Sequence, residues 1–125
     1  MGVLATEATE IADFLRQEGV KAGVLGVRVY RPFPASELLE AVRGRPAAAV
    51  IEKAISYGYQ GALMTELKAC LYRENGDGPV LSNYIVGLGG KNVSAADLLQ
   101  VARESIAAAE SCKLPDKPKW IGYGI

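Results

Sequence analysis

The chain contains no histidine and only two cysteines, Cys70 and Cys112, which do not form a Cys-x-x-Cys pair. A zinc centre or iron–sulfur cluster built from this chain alone is therefore not expected. Without histidine, Ser56 also lacks the base that an ordinary Ser-His-Asp triad requires. Both cysteines fall in helical patterns, where a buried free thiol packs as a small hydrophobe. Nothing suggests a disulfide framework, so a reducing cytoplasm is the expected setting. An excess of charge of one sign is missing too: 14 basic and 14 acidic residues cancel, which argues against nucleic-acid binding and its basic footprint. Long hydrophobic runs are absent. Stretches such as Ala47–Ile51 are far short of the roughly 20 residues that span a membrane. Met1–Thr9 has no basic start followed by an apolar core, so no signal peptide is expected.

What is present reads as a packed domain. Half of the 125 residues are hydrophobic and 22% are charged, a balance that excludes disorder. A chain of this length buries roughly two-thirds of its unfolded surface. The sequence divides into a domain over residues 1–112 and a proline-punctuated tail over 113–125.

A first helix is expected after Thr6, with Ala8, Ile11, Ala12 and Leu15 on one face and Glu7 and Glu10 in its first turns. Gly19 stops it. Gly23–Tyr30 then reads as a strand, ended by Arg31-Pro32-Phe33-Pro34. Two prolines around an aromatic fix the backbone and bias Arg31 and Phe33 toward extended geometry. A short helix over Ser36–Arg43 follows. Ala47–Lys53 is an apolar run without alternation, which suits a strand covered on both faces. A loop over Ala54–Gly61 leads to a helix with Leu63, Leu67, Cys70 and Leu71 at helical spacing. Glu74–Pro79 is a turn cluster, and Val80–Val86 is a third strand. Gly87–Asn92 opens a last helix, capped by Ser94 with Asp97 as its acidic third position. Its expected buried stripe is Leu98, Ala102, Ile106 and Ala109. Strands alternating with helices imply an α/β fold, a three-layer α/β/α sandwich around a mostly parallel sheet. The loops Arg31–Pro34, Ala54–Gly61 and Gly87–Asn92 should then gather along one rim.

Each candidate motif has a structural reading beside its functional one. Gly87, Gly89 and Gly90 sit between a strand and a helix, where free N–H groups could hold an anion. The pattern is neither a complete dinucleotide fingerprint nor a P-loop, so a tight structural turn is the favoured reading. An anion- or nucleotide-binding regulatory module is the alternative. A phosphate-accepting signalling domain would need an acidic cluster, and only Glu52 is available. Glu52 and Lys53 read as a salt-bridged strand terminus. Phe33, Tyr57 and Tyr59 are loop aromatics of the kind that anchor protein interfaces.

Three blocks, GVKAGVLGVRVYRPFP over 19–34, VIEKAISYGYQG over 50–61 and YIVGLGGKNV over 84–93, resemble successive signatures of the 2-oxoacid:ferredoxin oxidoreductases, of which pyruvate:ferredoxin oxidoreductase is the best known. They match the domain that follows the pyrimidine-binding domain of the alpha subunit, over residues 1–110 or so. Lys119-Trp120-Ile121-Gly122 is similar to the end of some alpha subunits. The resemblance implies a transketolase C-terminal-like domain. It also implies a cytoplasmic parent enzyme that oxidatively decarboxylates a 2-oxoacid to acyl-CoA using thiamine diphosphate, magnesium, iron–sulfur clusters and coenzyme A, with ferredoxin as electron acceptor. In that family other domains or subunits hold these cofactors. No catalytic, cofactor-binding or metal-binding residue carries over to this chain, and the isolated chain is expected to be inactive. What carries over is an interface role for Arg31, Phe33, Tyr57 and Gly58 toward other domains or subunits. Family members run an apolar strand into the Met-Gly that matches Met1-Gly2. Here that strand is missing from the sheet, which suggests a fragment and self-association through an exposed edge.

Overall fold

The computed structural model describes residues 2–73 and 78–125. The turn cluster expected at Glu74–Pro79 falls largely outside these residues. The elements are helix α1 (Val3–Gln17), helix α2 (Ala35–Val42), strand β1 (Ala47–Glu52), helix α3 (Ala62–Tyr72), strand β2 (Val80–Ile85), helix α4 (Ala95–Ser111) and strand β3 (Lys119–Trp120). A single 3-10 turn spans Leu88–Gly90. The sheet has the order β1-β2-β3 and is parallel throughout.

The pleat sorts side chains to two faces. Tyr84 of β2 and Val86 just after it meet Leu4 of α1, Leu98 and Val101 of α4, and Ile121. Val50 of β1 and Leu81 of β2 meet Leu38 of α2 and Met64 and Leu67 of α3, with Val27. Helices thus cover both faces, and the expected three-layer α/β/α sandwich is present. β2 is central and buried along nearly its whole length, which is why its sequence shows little alternation. Among the described residues no helix is long and apolar enough to cross a membrane.

The expected strand at Gly23–Tyr30 does not form. The segment makes no ladder, and no backbone hydrogen bond links it to another described residue. Val24, Leu25 and Val29 are 42%, 53% and 59% exposed, and Val27 alone joins the core. Valine-rich composition favours a pleated, half-buried surface, but a strand exists only through a neighbour, and none of the described residues supplies one. Side-chain packing holds the segment instead: a Cβ on Gly26 would lie 3.1 Å from Ala5 Cβ.

Smaller differences have local causes. α1 begins at Val3 rather than after Thr6, and its first turn carries no acidic residue. The buried stripe of α4 runs through Leu98, Val101 and Ser105, rotated from the apolar stripe expected at Ala102, Ile106 and Ala109. Ser105 is accepted there because its hydroxyl donates to Val101 C=O at 2.8 Å and lies 3.4 Å from Tyr84 Oη. Cys70 is half-buried, whereas Cys112 is exposed at the end of α4. The segment after Lys113 supplies β3. Lys119 pairs with Glu104 of α4 at 2.9 Å, and Ile121 enters the core.

The capping box of α4 forms as expected. Ser94 Oγ accepts from Asp97 N–H at 3.1 Å, and Asp97 Oδ2 accepts from Ser94 N–H at 2.8 Å. Those bonds from the Ser94 backbone and hydroxyl, with a smaller contribution from Lys91, hold the Asp97 carboxyl below its usual range. A lowered folded-state value means the stabilisation is complete above the unfolded value of about 3.9 and is lost as pH falls through the folded one. Ser94→Ala is expected to cost about 1 kcal/mol in urea denaturation. The stability advantage of the native chain over Asp97→Asn should be level near neutrality and shrink below about pH 4; an advantage that persists unchanged into stronger acid contradicts this assignment.

Candidate interface at the rim of the sheet

β1 and β2 run parallel, so the loops that follow them leave from one rim. They touch there: a Cβ on Gly87 would lie 3.0 Å from Lys53 Cε and 3.1 Å from Lys91 C=O. The rim is organised by Glu52, the last residue of β1, which is only 9% exposed. Its Oε2 accepts from Leu63 N–H at 3.0 Å, and its Oε1 from Met64 N–H at 3.3 Å and Asn83 Nδ2 at 3.0 Å. α3 has no side-chain cap on its own N-cap residue, Gly61. Glu52 therefore supplies from the neighbouring strand the acceptors that the first turn of a helix needs.

Asn83 completes the arrangement. Its Oδ1 accepts from Gly61 N–H at 2.8 Å, and its Nδ2 also reaches Val50 C=O at 3.2 Å. Gly61 is required by close approach: a Cβ there would sit 1.7 Å from Glu52 Oε1. Buried Gln60 extends the polar cluster, donating to Thr65 Oγ1 at 3.1 Å and accepting from Lys68 Nζ at 2.8 Å. Glu52 is thus no salt-bridged strand end with Lys53, as its position suggested. Asn83 escaped sequence reading, and its one signal was a polar amide inside an otherwise apolar strand.

The loop after β1 is closed by Ser56 N–H to Gln60 C=O and Tyr59 N–H to Ser56 C=O, both 2.9 Å. Gly58 turns it with a φ of 68°, a left-handed value that costs glycine little. Tyr57 at its tip is 105% exposed and Tyr59 62%. Tyr57 therefore stands in solvent, and Tyr59 is largely exposed beside it.

Arg31 and Phe33 form a second group. The Arg31 guanidinium lies 4.4 Å from the Tyr30 ring centroid and 5.9 Å from that of Phe33. The two rings meet edge to face at 5.6 Å. Arg31 also pairs with Glu66, which raises its pKa further and fastens the group to the first half of α3. The Arg31-Pro32 peptide is cis. Tyr57 and Gly58 stand apart from this cluster, on the loop preceding α3.

Gly87, Gly89 and Gly90 have φ of 62°, 72° and 80°, all in the left-handed region. The chain's own end folds over this turn. Tyr123 Oη donates to Leu88 C=O at 2.7 Å, Lys91 Nζ lies 5.0 Å from the Tyr123 ring centroid, and Trp120 packs edge to face on Tyr123 at 5.4 Å.

Magnesium, which the resemblance implies for the parent enzyme, does not fit the Glu52 carboxylate at this rim. Magnesium prefers carboxylates that can reach it directly, whereas both oxygens of the buried carboxylate here are occupied by Leu63, Met64 and Asn83. No group of three or more possible metal ligands occurs among the described residues.

The domain is thus a parallel α/β/α unit with a polar network turned inward and an exposed aromatic loop tip turned outward. Sequence comparison gives the family. Residues 1–98 match the family described as pyruvate:ferredoxin oxidoreductase core domain II, and the chain belongs to it. It is 40% identical over 120 residues to the ketoisovalerate oxidoreductase subunit VorA of Pyrococcus abyssi, covering 96% of this chain and 30% of that protein. It is 36% identical over 122 residues to the pyruvate synthase subunit PorA of Pyrococcus furiosus, covering 98% of this chain and 31% of the relative. The PorA subunit of Methanosarcina barkeri is 38% identical over 112 residues, 89% of this chain and 28% of the relative. The chain therefore spans about 30% of the length of the curated relatives it matches.

Gly61→Ala should lower stability by about 3 kcal/mol, because its methyl must displace the Glu52 carboxylate. Gly58→Ala, at an open left-handed turn, should cost about 1 kcal/mol. Thermal denaturation of both variants checks the order; equal losses would contradict the close approach at Gly61.

Proposed function

We propose that the chain is an accessory, non-catalytic domain of a 2-oxoacid:ferredoxin oxidoreductase of the pyruvate type, which oxidatively decarboxylates a 2-oxoacid to acyl-CoA. The observation that carries this reading is similarity over almost the whole chain to the VorA and PorA subunits. Thiamine diphosphate, magnesium, iron–sulfur clusters and coenzyme A belong to other parts of the parent enzyme. Electrons leave through ferredoxin, and the enzyme works in the cytoplasm as an oligomer. The domain comprises residues 1–112, with 113–125 as an extension folded onto it.

Arg31, Phe33, Tyr57 and Gly58 are its docking residues. Support comes from the exposure of Tyr57 and from the pinned geometry of the Arg31 group, because large rings and arginine make strong interface anchors when held in place. Gly87, Gly89 and Gly90 are turn-formers in this reading. Their left-handed backbone and, at Gly87, the close approach of Lys53 and the Lys91 carbonyl account for them without an anion.

The purified chain mixed with pyruvate, thiamine diphosphate, magnesium, coenzyme A and ferredoxin should give no acyl-CoA. Added to the remaining domains and subunits of such an enzyme, it should assemble and support turnover. Tyr57→Ala should leave the fold intact and weaken assembly by about 10- to 100-fold. Turnover by the chain alone, or assembly indifferent to Tyr57, Arg31 and Phe33 together, would contradict the proposal.

A further inference from the structure

The part of the rim around Gly87 carries side-chain charge of one sign. Three stretches meet there: the loop over 53–61, the turn over 87–94 and the chain from 119 to 125. Lys53 packs against Gly87, and Tyr123 closes on Leu88. Together these stretches hold Lys53, Lys91 and Lys119 and no aspartate or glutamate. In a chain whose 14 basic and 14 acidic residues cancel, this is a local excess.

The acids beside it are engaged elsewhere. Glu52 is buried, and both its oxygens accept from Leu63, Met64 and Asn83. Asp97 Oδ2 accepts from the N–H and the hydroxyl of Ser94. Glu104 pairs with Lys119 and so removes that lysine from the excess. Lys53 and Lys91 remain. Both are exposed, and among the described residues neither forms an ion pair.

Their stems are nevertheless held. A Cβ on Gly87 would lie 3.0 Å from Lys53 Cε, and one on Gly122 would lie 3.4 Å from Lys91 Cε. Lys91 Nζ stands 5.0 Å from the Tyr123 ring centroid. A lysine whose stem lies along the protein keeps its ammonium in water, and it loses less freedom when a partner arrives. Gly89 and Gly90 are exposed and bring no side chain to this surface. Tyr57 stands on the loop that begins at Lys53.

We propose that Lys53 and Lys91 form the charged half of the docking surface and that the segment seated on it is acidic, a stretch of another domain or subunit of the oxidoreductase whose aspartate or glutamate side chains pair with both ammonium groups. The inference rests on the reading of the chain as an accessory docking domain and names the chemistry of its partner. The two halves act differently. Tyr57 supplies an aromatic anchor, which acts on how slowly the complex comes apart. The lysines act over about 8 Å at physiological salt, so they steer the approach and make it depend on ionic strength.

Association of the full chain with the remaining domains and subunits of such an enzyme, followed by stopped flow, tests this. The association rate should fall by about tenfold between about 0.05 and 0.5 M sodium chloride. Lys53→Glu combined with Lys91→Glu should slow association by about tenfold at low salt and flatten the salt dependence, with an unchanged circular-dichroism spectrum. Lys53→Arg combined with Lys91→Arg keeps both charges and should keep both properties. Tyr57→Ala should speed dissociation and leave the salt dependence as it was. A carbodiimide, which joins an amine to a carboxylate with loss of water, should link Lys53 or Lys91 to an aspartate or glutamate of the partner. Association indifferent to salt and to the double glutamate variant, or cross-links that avoid both lysines, would overturn the proposal. So would inorganic phosphate binding at the two lysines while association ignores their charge, which would make this an anion site. Failure of the unaltered chain to assemble at all contradicts the accessory-domain reading itself; assembly that ignores the lysines contradicts this inference alone.

Discussion

The Glu52 carboxylate joins three elements at once: it ends β1, receives an amide from β2 and receives two backbone N–H groups from α3. The loop between β1 and α3 takes its position from that junction. Gly61 must be glycine because the carboxylate occupies the space of a side chain. Gln60 is drawn inward beside it, and the turn before it pushes Tyr57 out into solvent. A buried carboxylate at a strand's C-terminal end often signals chemistry in an α/β protein. Here its acceptors are committed to backbone and amide donors, which makes it part of the scaffold. Breaking such a junction leaves buried donors without partners, at about 1–3 kcal/mol each.

Much of the fold could be read from the chain. The strands at Ala47–Glu52 and Val80–Ile85 followed from apolar runs, and the start of α4 from Ser94 and Asp97. The three-layer arrangement followed from alternation of element types. These features are local, and each carries its own physical cause. The extended segment at Gly23–Tyr30 was illegible for the opposite reason: its valines announce a strand, but only a neighbouring strand could make it one. The Glu52–Asn83 junction was hidden because it joins residues 31 positions apart. Periodicity does not report such a pairing, and a lone asparagine in an apolar run is a weak sign.

Two loops of the same scaffold expose side chains suited to recognition: a fully exposed tyrosine before α3, and an arginine set beside two rings and paired with Glu66. The tyrosine loop is fixed from below by Glu52 and Asn83, and the arginine group by Glu66 of α3. Both features agree with membership of a family whose curated relatives are oxidoreductase subunits.

The central claim is that Glu52 and Asn83 act together to hold the rim. A double-mutant cycle with Glu52→Ala, Asn83→Ala and the pair, followed by urea denaturation, measures that coupling directly. A coupling energy of about 1–3 kcal/mol is expected for two buried partners in one hydrogen-bonded network. Strictly additive losses would show that the two side chains act independently and would contradict the junction as the organising feature of this domain.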